Sequence, residues 1–466
     1  MGKKPWVLPA TIVIGCCAGV GVVREACASA FAIQEQSASD LGRSFAGTAS
    51  TPDDPSILYY NPAGITAFKH FTSSAGLTLI DVSSSFTNTN SIPAYGQALG
   101  GNGGNAGSWN TVPNLYLVGP VSDSVSLGLA INAPFGLKLD YAGNWLGQYQ
   151  GIYSELKTMN FNPAVAWQVN NHLSIGAGVD YEKINSTLTS GVDYSAAIAG
   201  GVQQLAQAGQ IPAAAVPSLL AANAGLSGST RVSGTGAGWG FNLGALYTVN
   251  DVLRFGLAYR SEVHATIRGS VGFSAPTVAN QVGQEIVEGA SAAGGALSNG
   301  SVYLPLTLPS SVTGSADVLV DPRLRVVADL QYTQWSVFKN LNVTRDSGPL
   351  LSATPEQYHN TWRVALGAEY TLSSQWMLRA GTAYDQTPVP ASTRNPRLPD
   401  NSRVWISTGL QWKPAPRFTI DLGYAHLFEQ AAPLDINGGN AALYGDIVGN
   451  QSSHVDIIAV QAATAF

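Results

Sequence analysis

Apolar and polar positions alternate along most of the chain. Leu173, Ile175, Ala177, Val179 and Tyr181 interleave with Ser174, Gly176, Gly178 and Asp180. Leu324, Val326, Ala328, Leu330 and Tyr332 interleave with Arg323, Arg325, Val327, Asp329 and Gln331. The same beat runs from Trp362 to Tyr370 and from Trp376 to Tyr384. A period of two places successive side chains on opposite faces of a strand. One face is apolar, with aromatic residues near its ends. The other is small, polar or charged.

The connections alternate too. Short turns fall at Ser122-Asp123, Asn170-Asn171, Asn250-Asp251, Asp321-Pro322, Ser373-Ser374 and Pro414-Ala415-Pro416. Long Gly/Ala/Asn-rich loops fall near 87–110, 139–155, 190–233, 270–305, 335–360, 386–402 and 430–453. Together they join about 14 strands, with short turns on one side and long loops on the other. This is the pattern of an all-β, transmembrane antiparallel β-barrel of the outer-membrane type. In hydrocarbon every backbone N–H and C=O must be paired, so strands span only as a closed barrel. A secreted sandwich or propeller would also alternate. It would not normally ring its apolar face with aromatics at both ends, nor line the opposite face with Arg and Asp. Phe466 ends an alternating run of Ile458, Val460, Ala462 and Thr464, a terminal strand suited to the barrel-assembly machinery.

Residues 1–30 read as a signal peptide. Lys3 and Lys4 precede the apolar stretch from Trp6 to Val23, and small-x-small sites follow at Ala26-Cys27-Ala28 and Ala28-Ser29-Ala30. Cleavage is expected after Ala30, with Ala28 as the second choice. Val13-Ile14-Gly15-Cys16 loosely fits a lipoprotein box, although the apolar stretch before Cys16 is short. Losing the leader removes Lys3, Lys4, Arg24 and Glu25, which moves the formal net charge from -6 to -8. It also removes Cys16, Cys17 and Cys27, all three cysteines, and with them any disulfide, Cys-metal site or thiol nucleophile.

Composition narrows the function. Charged residues are 11%, against about 25% in an average soluble protein. That excludes a disordered chain and a coiled coil. There is no basic excess for nucleic acid. No run of about 18 apolar residues follows Ala30, so no transmembrane helix is expected. Enzyme motifs are missing: no Gly-x-Ser-x-Gly or His-Glu-x-x-His occurs, and the 6 His are scattered. The stretch from Gly101 to Ala106 imitates a dinucleotide loop but has no helix after it. No metal or cofactor is expected.

Residues 31–67 do not alternate. Asp53-Asp54-Pro55 can start a short helix, and Asn61-Pro62-Ala63-Gly64 breaks it. The segment reads either as a disordered leader or as a small plug folded into the lumen. A 14-strand barrel encloses more space than its own side chains fill.

Several further stretches of the chain belong together. They are Phe31-Ala-Ile-Gln-Glu, Leu41-Gly42-Arg43-Ser44, Asn61-Pro62-Ala63 and Ala133-Pro134-Phe135-Gly136-Leu137. Further on come Leu156 to Asn160, Tyr259 to Val263, Leu306 to Pro309, Trp335 to Phe338, and the dense run from Tyr384 through Arg397-Leu398-Pro399-Asp400 to Trp405. In their order and spacing these stretches resemble the FadL/TodX family of outer-membrane transporters of long-chain fatty acids and other hydrophobic compounds. The resemblance implies a hatch at residues 31–67 inside a barrel at 68–466. It places the hatch turn on Asn61, Pro62 and Ala63. It implies a kink in the third strand at Phe135-Gly136-Leu137 that opens a lateral gap in the wall. A hydrophobic solute would be caught outside, bound in the lumen and released sideways into outer-membrane lipid, passively.

For such a solute Phe31 and Ile33 are the expected apolar contacts. A carboxylate head would need lumenal cations. Lys183, Arg260, Arg363, Arg379 and Arg403 are candidates, with Arg260 and Lys183 first because they lie near the loop ends of their strands. Each could instead pair across strands, as Arg325 with Asp329 or Arg379 with Asp385. Residues 195–226 and 277–289 can form short amphipathic helices that either capture solute or simply cap the barrel. Long-chain fatty acids, aromatic hydrocarbons, or no substrate at all in a structural or adhesive barrel remain as three readings.

Overall fold

A computed structural model of the chain describes residues 30–436 and 444–466. The signal-peptide reading lies outside the described residues, apart from Ala30.

The described chain crosses the wall fourteen times. Seven crossings are single strands: Thr72–Asn88, Trp109–Pro120, Tyr153–Gln168, Leu173–Asp193, Ser227–Thr248, Trp376–Asp385 and Arg403–Ala415. These are the first, second, fourth, fifth, sixth, eleventh and twelfth. The last, Ile447–Ala465, is also unbroken. The other six are interrupted. They are the third (Val125–Asn132, Gly136–Asp140), seventh (Leu253–Arg260, Val263–Ser274) and eighth (Gly300–Leu308, Ser311–Leu319). The ninth (Leu324–Thr333, Asn340–Arg345), tenth (Leu350–Pro355, Thr361–Thr371) and thirteenth (Phe418–Glu429, Ala432–Ile436) complete the set. All neighbours are antiparallel, and the first strand closes on the last from Thr72↔Ala465 to Asn88↔Gly449. Closure leaves no edge to bond with lipid.

The outer face is the apolar one. Leu117, Leu257, Val364, Leu366 and Ile406 are exposed on it. Aromatic residues bound it above and below: Trp239 and Tyr247, Trp362 and Tyr370, Trp376 and Tyr384 stand eight residues apart on their strands. At ~3.3 Å per residue and a tilt near 40° this spacing is about 20 Å, close to the lipid-facing band of such barrels. Above the upper girdle the strands continue. The expected loop at 335–360 is instead largely a hairpin, Asn340–Arg345 paired with Leu350–Pro355. Outside lipid the outer face needs no apolar partner, so alternation fades while the backbone ladder persists.

Residues 31–67 are surrounded by the wall. Leu41, Phe45, Ala46, Leu58 and Ile65 are buried. Short helices at Ala38–Leu41 and Ile57–Tyr60 and a tight turn of helix at Pro62–Ala67 shape the segment. Leu58 lies against Gly128 of the third strand, Ala49 against Gly256 of the seventh, Arg43 against Gly381 of the eleventh and Ala38 against Gly423 of the thirteenth. A segment that touches strands on all sides at once must lie within them. At Gly256 and Gly381 a Cβ would overlap the segment's backbone, so only glycine allows this approach.

Candidate functional site: a gap in the wall and the pocket behind it

The third strand carries one residue too many. Asn132 pairs with Asn160 and Gly136 with Lys157, so four steps on one strand oppose three on the other. One extra residue is a β-bulge, which kinks the strand and flips its faces. Below the bulge Leu127 and Leu129 point outward. Above it Leu137 and Leu139 pack inward, against the lumenal clusters. The kink also ends the ladder to the second strand, whose last pair is Leu115↔Ile131. Among the described residues, 109–114 then pair in the ladder with the first strand alone. The wall between the second and third strands is therefore open above Leu115.

The inner side of this opening is met by the start of the chain. Gly136 N–H donates to Phe31 O at 2.9 Å and Ile33 N–H to Pro134 O at 2.8 Å. Gln36 Nε2 donates to Ala133 O at 2.8 Å. These bonds satisfy backbone groups that the kink would otherwise orphan. A Cβ on Gly136 would lie 2.6 Å from Ile33 Cδ1. Phe31, Ile33, Phe135, Gly136 and Leu137 thus come together. Asn61, Pro62 and Ala63 do not join them: Asn61 Nδ2 donates to Ala49 O (2.6 Å) and Ala245 O (3.0 Å), and Ala63 packs on Gly176 of the fifth strand.

A cavity of about 690 Å³ runs through the opening. It reaches from Ala30, Ile33 and Glu35 inside to Trp109, Leu115 and Met159 on the outer wall. Next to it Phe31 is buried in an aromatic cluster. Its ring lies edge-on to Trp335 at 4.8 Å and to Phe338 at 5.7 Å, with Phe135 at 6.0 Å. A smaller hollow of about 70 Å³ adjoins Phe31 between Leu304, Leu341, Tyr358 and Arg397.

The cations fall out differently from expectation. Lys183 points outward and is exposed, which corrects its expected lumenal place. It stands in phase with Ile175, Val179 and Tyr181, so the alternation itself sets it on the outer wall. Arg260 does face the lumen, but it is held at 2.5 Å by Asp180, donates to Tyr59 O at 2.7 Å, and sits 4.4 Å over the Tyr59 ring. Arg379 binds Glu369 (3.0 Å) and Asp421 (2.5 Å) rather than Asp385. Arg325 binds Asp53, Glu369 and Asp317 rather than Asp329. Asp329 instead accepts from Gly47 N–H at 2.8 Å. Arg363 donates to Ser44 O at 2.7 Å, and Arg403 lies 3.4 Å from Asp400.

Sequence reasoning missed Arg397 as a candidate cation. It hangs from the loop at 386–402, donating to the neutral acceptors Ser154 Oγ (3.2 Å), Thr189 O (3.3 Å) and Tyr153 O (3.4 Å). Burial pulls its pKa down to about 10, with Glu356 acting in the opposite sense. It therefore stays charged at neutral pH. Alternation scores strand faces, so a cation lowered into the lumen by a loop escapes it.

Outside, helices at Tyr194–Gln207, Val216–Ala222 and Gln281–Ser291 fill two of the long loops. Tyr194, Ile198, Val202, Val278 and Val287 form one buried cluster between them.

The fold is a fourteen-strand outer-membrane barrel with a gapped wall. The family described as "Outer membrane protein transport protein (OMPP1/FadL/TodX)" matches residues 19–466, and the chain belongs to it. The long-chain fatty acid transport protein of Escherichia coli K12 is 32% identical over 416 residues, covering 88% of this chain and 90% of that one. Outer membrane protein P1 of Haemophilus influenzae is 32% identical over 416 residues, 86% of each. A Pseudomonas aeruginosa FadL homologue of known structure superposes with a TM-score of 0.82 at 25% identity, covering 94% of this chain and all of that one. The Pseudomonas putida toluene transporter TodX shares the fold, with a TM-score of 0.65 at 18% identity over 92% of this chain and 98% of that one. The chain is an outer-membrane transport barrel of a Gram-negative bacterium, not an enzyme.

Proposed function

We propose that this protein takes up long-chain fatty acids or closely similar amphiphiles by passive transfer, with residues 31–67 as the hatch and the gap beside Gly136 as the exit. The observation that carries the reading is the cavity that joins the buried start of the hatch to the outer wall through the interrupted third strand. A solute that leaves sideways never exposes its chain to water, which would cost ~0.8 kcal/mol per CH₂. Ile33 lines its path, and Phe31 borders the smaller hollow beside it. Arg397, charged and bonded only to neutral acceptors among the described residues, supplies the partner for a carboxylate. That favours a fatty acid over a neutral arene. The fatty acid transport proteins among the relatives support the same substrate class. Phe466, whose N–H donates to Phe71 O at 2.8 Å, leaves its ring exposed for the assembly machinery.

Gly136→Val tests the exit. The added side chain meets Ile33 and narrows the passage. Uptake of labelled oleate by cells that rely on this barrel should fall about tenfold, while heat-modifiable migration shows the barrel still folded. Unchanged uptake would remove the lateral route.

A further inference from the structure

The outer mouth of the gap is polarised. Toward the periplasm it is framed by Leu115 and Met159, with Leu129 on the wall below them, all exposed and apolar. Toward the outside it is framed by lysines. The bulge flips the third strand so that Lys138, between the inward Leu137 and Leu139, points out. Lys138 stands opposite Glu155, and Lys157 opposite Gly136. Lys183 stands opposite Met159, and its neighbour Asn185 opposite Lys157. Lys157, with a side chain 65% exposed, pairs with Glu155 at 2.6 Å. Lys138 and Lys157 both line the cavity. Lys138 and Lys157 thus frame the upper lip with Glu155 and the exposed Asp140, and Lys183 adds a third cation on the fifth strand beside them, just above the girdle residues Tyr181 and Trp239.

We infer that Lys138, Lys157 and Lys183 form a binding site for the anionic head of the leaving amphiphile. The inference rests on the lateral-exit reading. The head is held at the headgroup level of the outer leaflet while the chain slides over Leu115, Leu129 and Met159 into hydrocarbon. The solute enters the membrane already oriented as a lipid, head up and tail down. The site selects a carboxylate at the exit, separately from any selection inside.

The test compares oleate with oleyl alcohol, equal in chain length but neutral. Transfer is followed with the full barrel in phosphate-free, zwitterionic vesicles. The variant K138Q/K157Q/K183Q should lower the ratio of oleate to alcohol transfer several-fold. The Arg triple variant should keep it, and high salt should mimic the Gln variant, since these charges are exposed. An unchanged ratio, or an equal fall for both solutes, would overturn the site. So would an effect that appears only when the vesicles carry phosphate lipids, which would mean that the lysines serve resident headgroups. Failure of the exit reading looks different: Gly136→Val would then leave both solutes untouched.

Discussion

The leading segment is held in two ways by two halves of the barrel. On the side of the ninth to thirteenth strands it is bolted by charge. Arg43 reaches Asp40 at 2.5 Å and Asp53 at 3.0 Å and also pairs with Glu369, which in turn binds Arg379 and Arg325. Arg43 is 1% exposed. On the side of the second to fourth strands no such ion pairs hold it among the described residues: its free end is tied by backbone bonds to Pro134 and Gly136, by Gln36 on Ala133 O and by the Phe31 ring against Phe135, and further on Ile57, Leu58 and Ile65 pack on Tyr116, Val118 and Ala130. Buried charges cannot part without stranding one another, whereas apolar packing can be replaced by an apolar solute. The difference lets one end of the segment give way while the rest stays fixed.

The largest effect should come from unbolting the charged half. Arg43→Ala strands Asp40 in the lumen, while Glu369 keeps Arg379 and Arg325, and breaking a buried pair by removing one partner costs about 3–5 kcal/mol. The unfolding midpoint of the purified barrel in detergent should drop markedly. Arg43→Lys, which keeps charge but not the fork geometry, should fall between. A midpoint that stays put would mean that the segment is anchored elsewhere.

A smaller effect should separate the two lumenal arginines. Arg397→Gln removes the cation expected to meet a carboxylate. Charge-assisted hydrogen bonds are worth about 1.5–3 kcal/mol, so oleate affinity should weaken by at least tenfold while the alcohol is nearly indifferent. Arg260→Gln should not produce this selectivity, because Arg260 is already committed to Asp180. Equal losses for both solutes in Arg397→Gln would remove its role as the head-group partner.

How much of this was legible in the sequence follows from which constraint each part obeys. The lipid-facing band was legible because hydrocarbon imposes a strict period of two, and five of the six short turns lie where the residues place them, the sixth falling at Pro416-Arg417 because the strand runs on to Ala415. The hairpin at 340–355 was not, because above the girdle nothing enforces the period. The misplacement of Lys183 was avoidable, since the count that exposes Tyr181 exposes Lys183 too. The ion pairs of Arg325 and Arg379 were not legible. Their partners Asp53, Glu369 and Asp421 lie on the leading segment and on neighbouring strands, and register is not written in any one strand. The glycines at 128, 256, 381 and 423 did carry a signal: lumenal positions without side chains trace the space that the segment fills.

The finest test concerns Phe31, whose ring sits among Trp335, Phe338 and Phe135. Two outcomes have opposite signs. If a solute packs against the ring where it stands, Phe31→Ala removes a contact and weakens binding. If the solute replaces the ring, the truncation removes a competitor and binding tightens. The ring already fills its aromatic cluster and only about 70 Å³ lies open beside it, so an acyl chain enters that cluster by displacement. Aromatic pairs are worth about 0.5–1.5 kcal/mol beyond their buried area, and oleate should therefore bind roughly 2–10-fold tighter to the Ala variant. Phe45→Ala provides the contrast from the bolted half. Phe45 packs edge-on against Trp405 at 5.9 Å, far from the gap, so its loss should lower stability and leave affinity alone. If Phe31→Ala weakens binding while Phe45→Ala behaves as expected, the free end of the segment is a wall of the pocket and not its occupant.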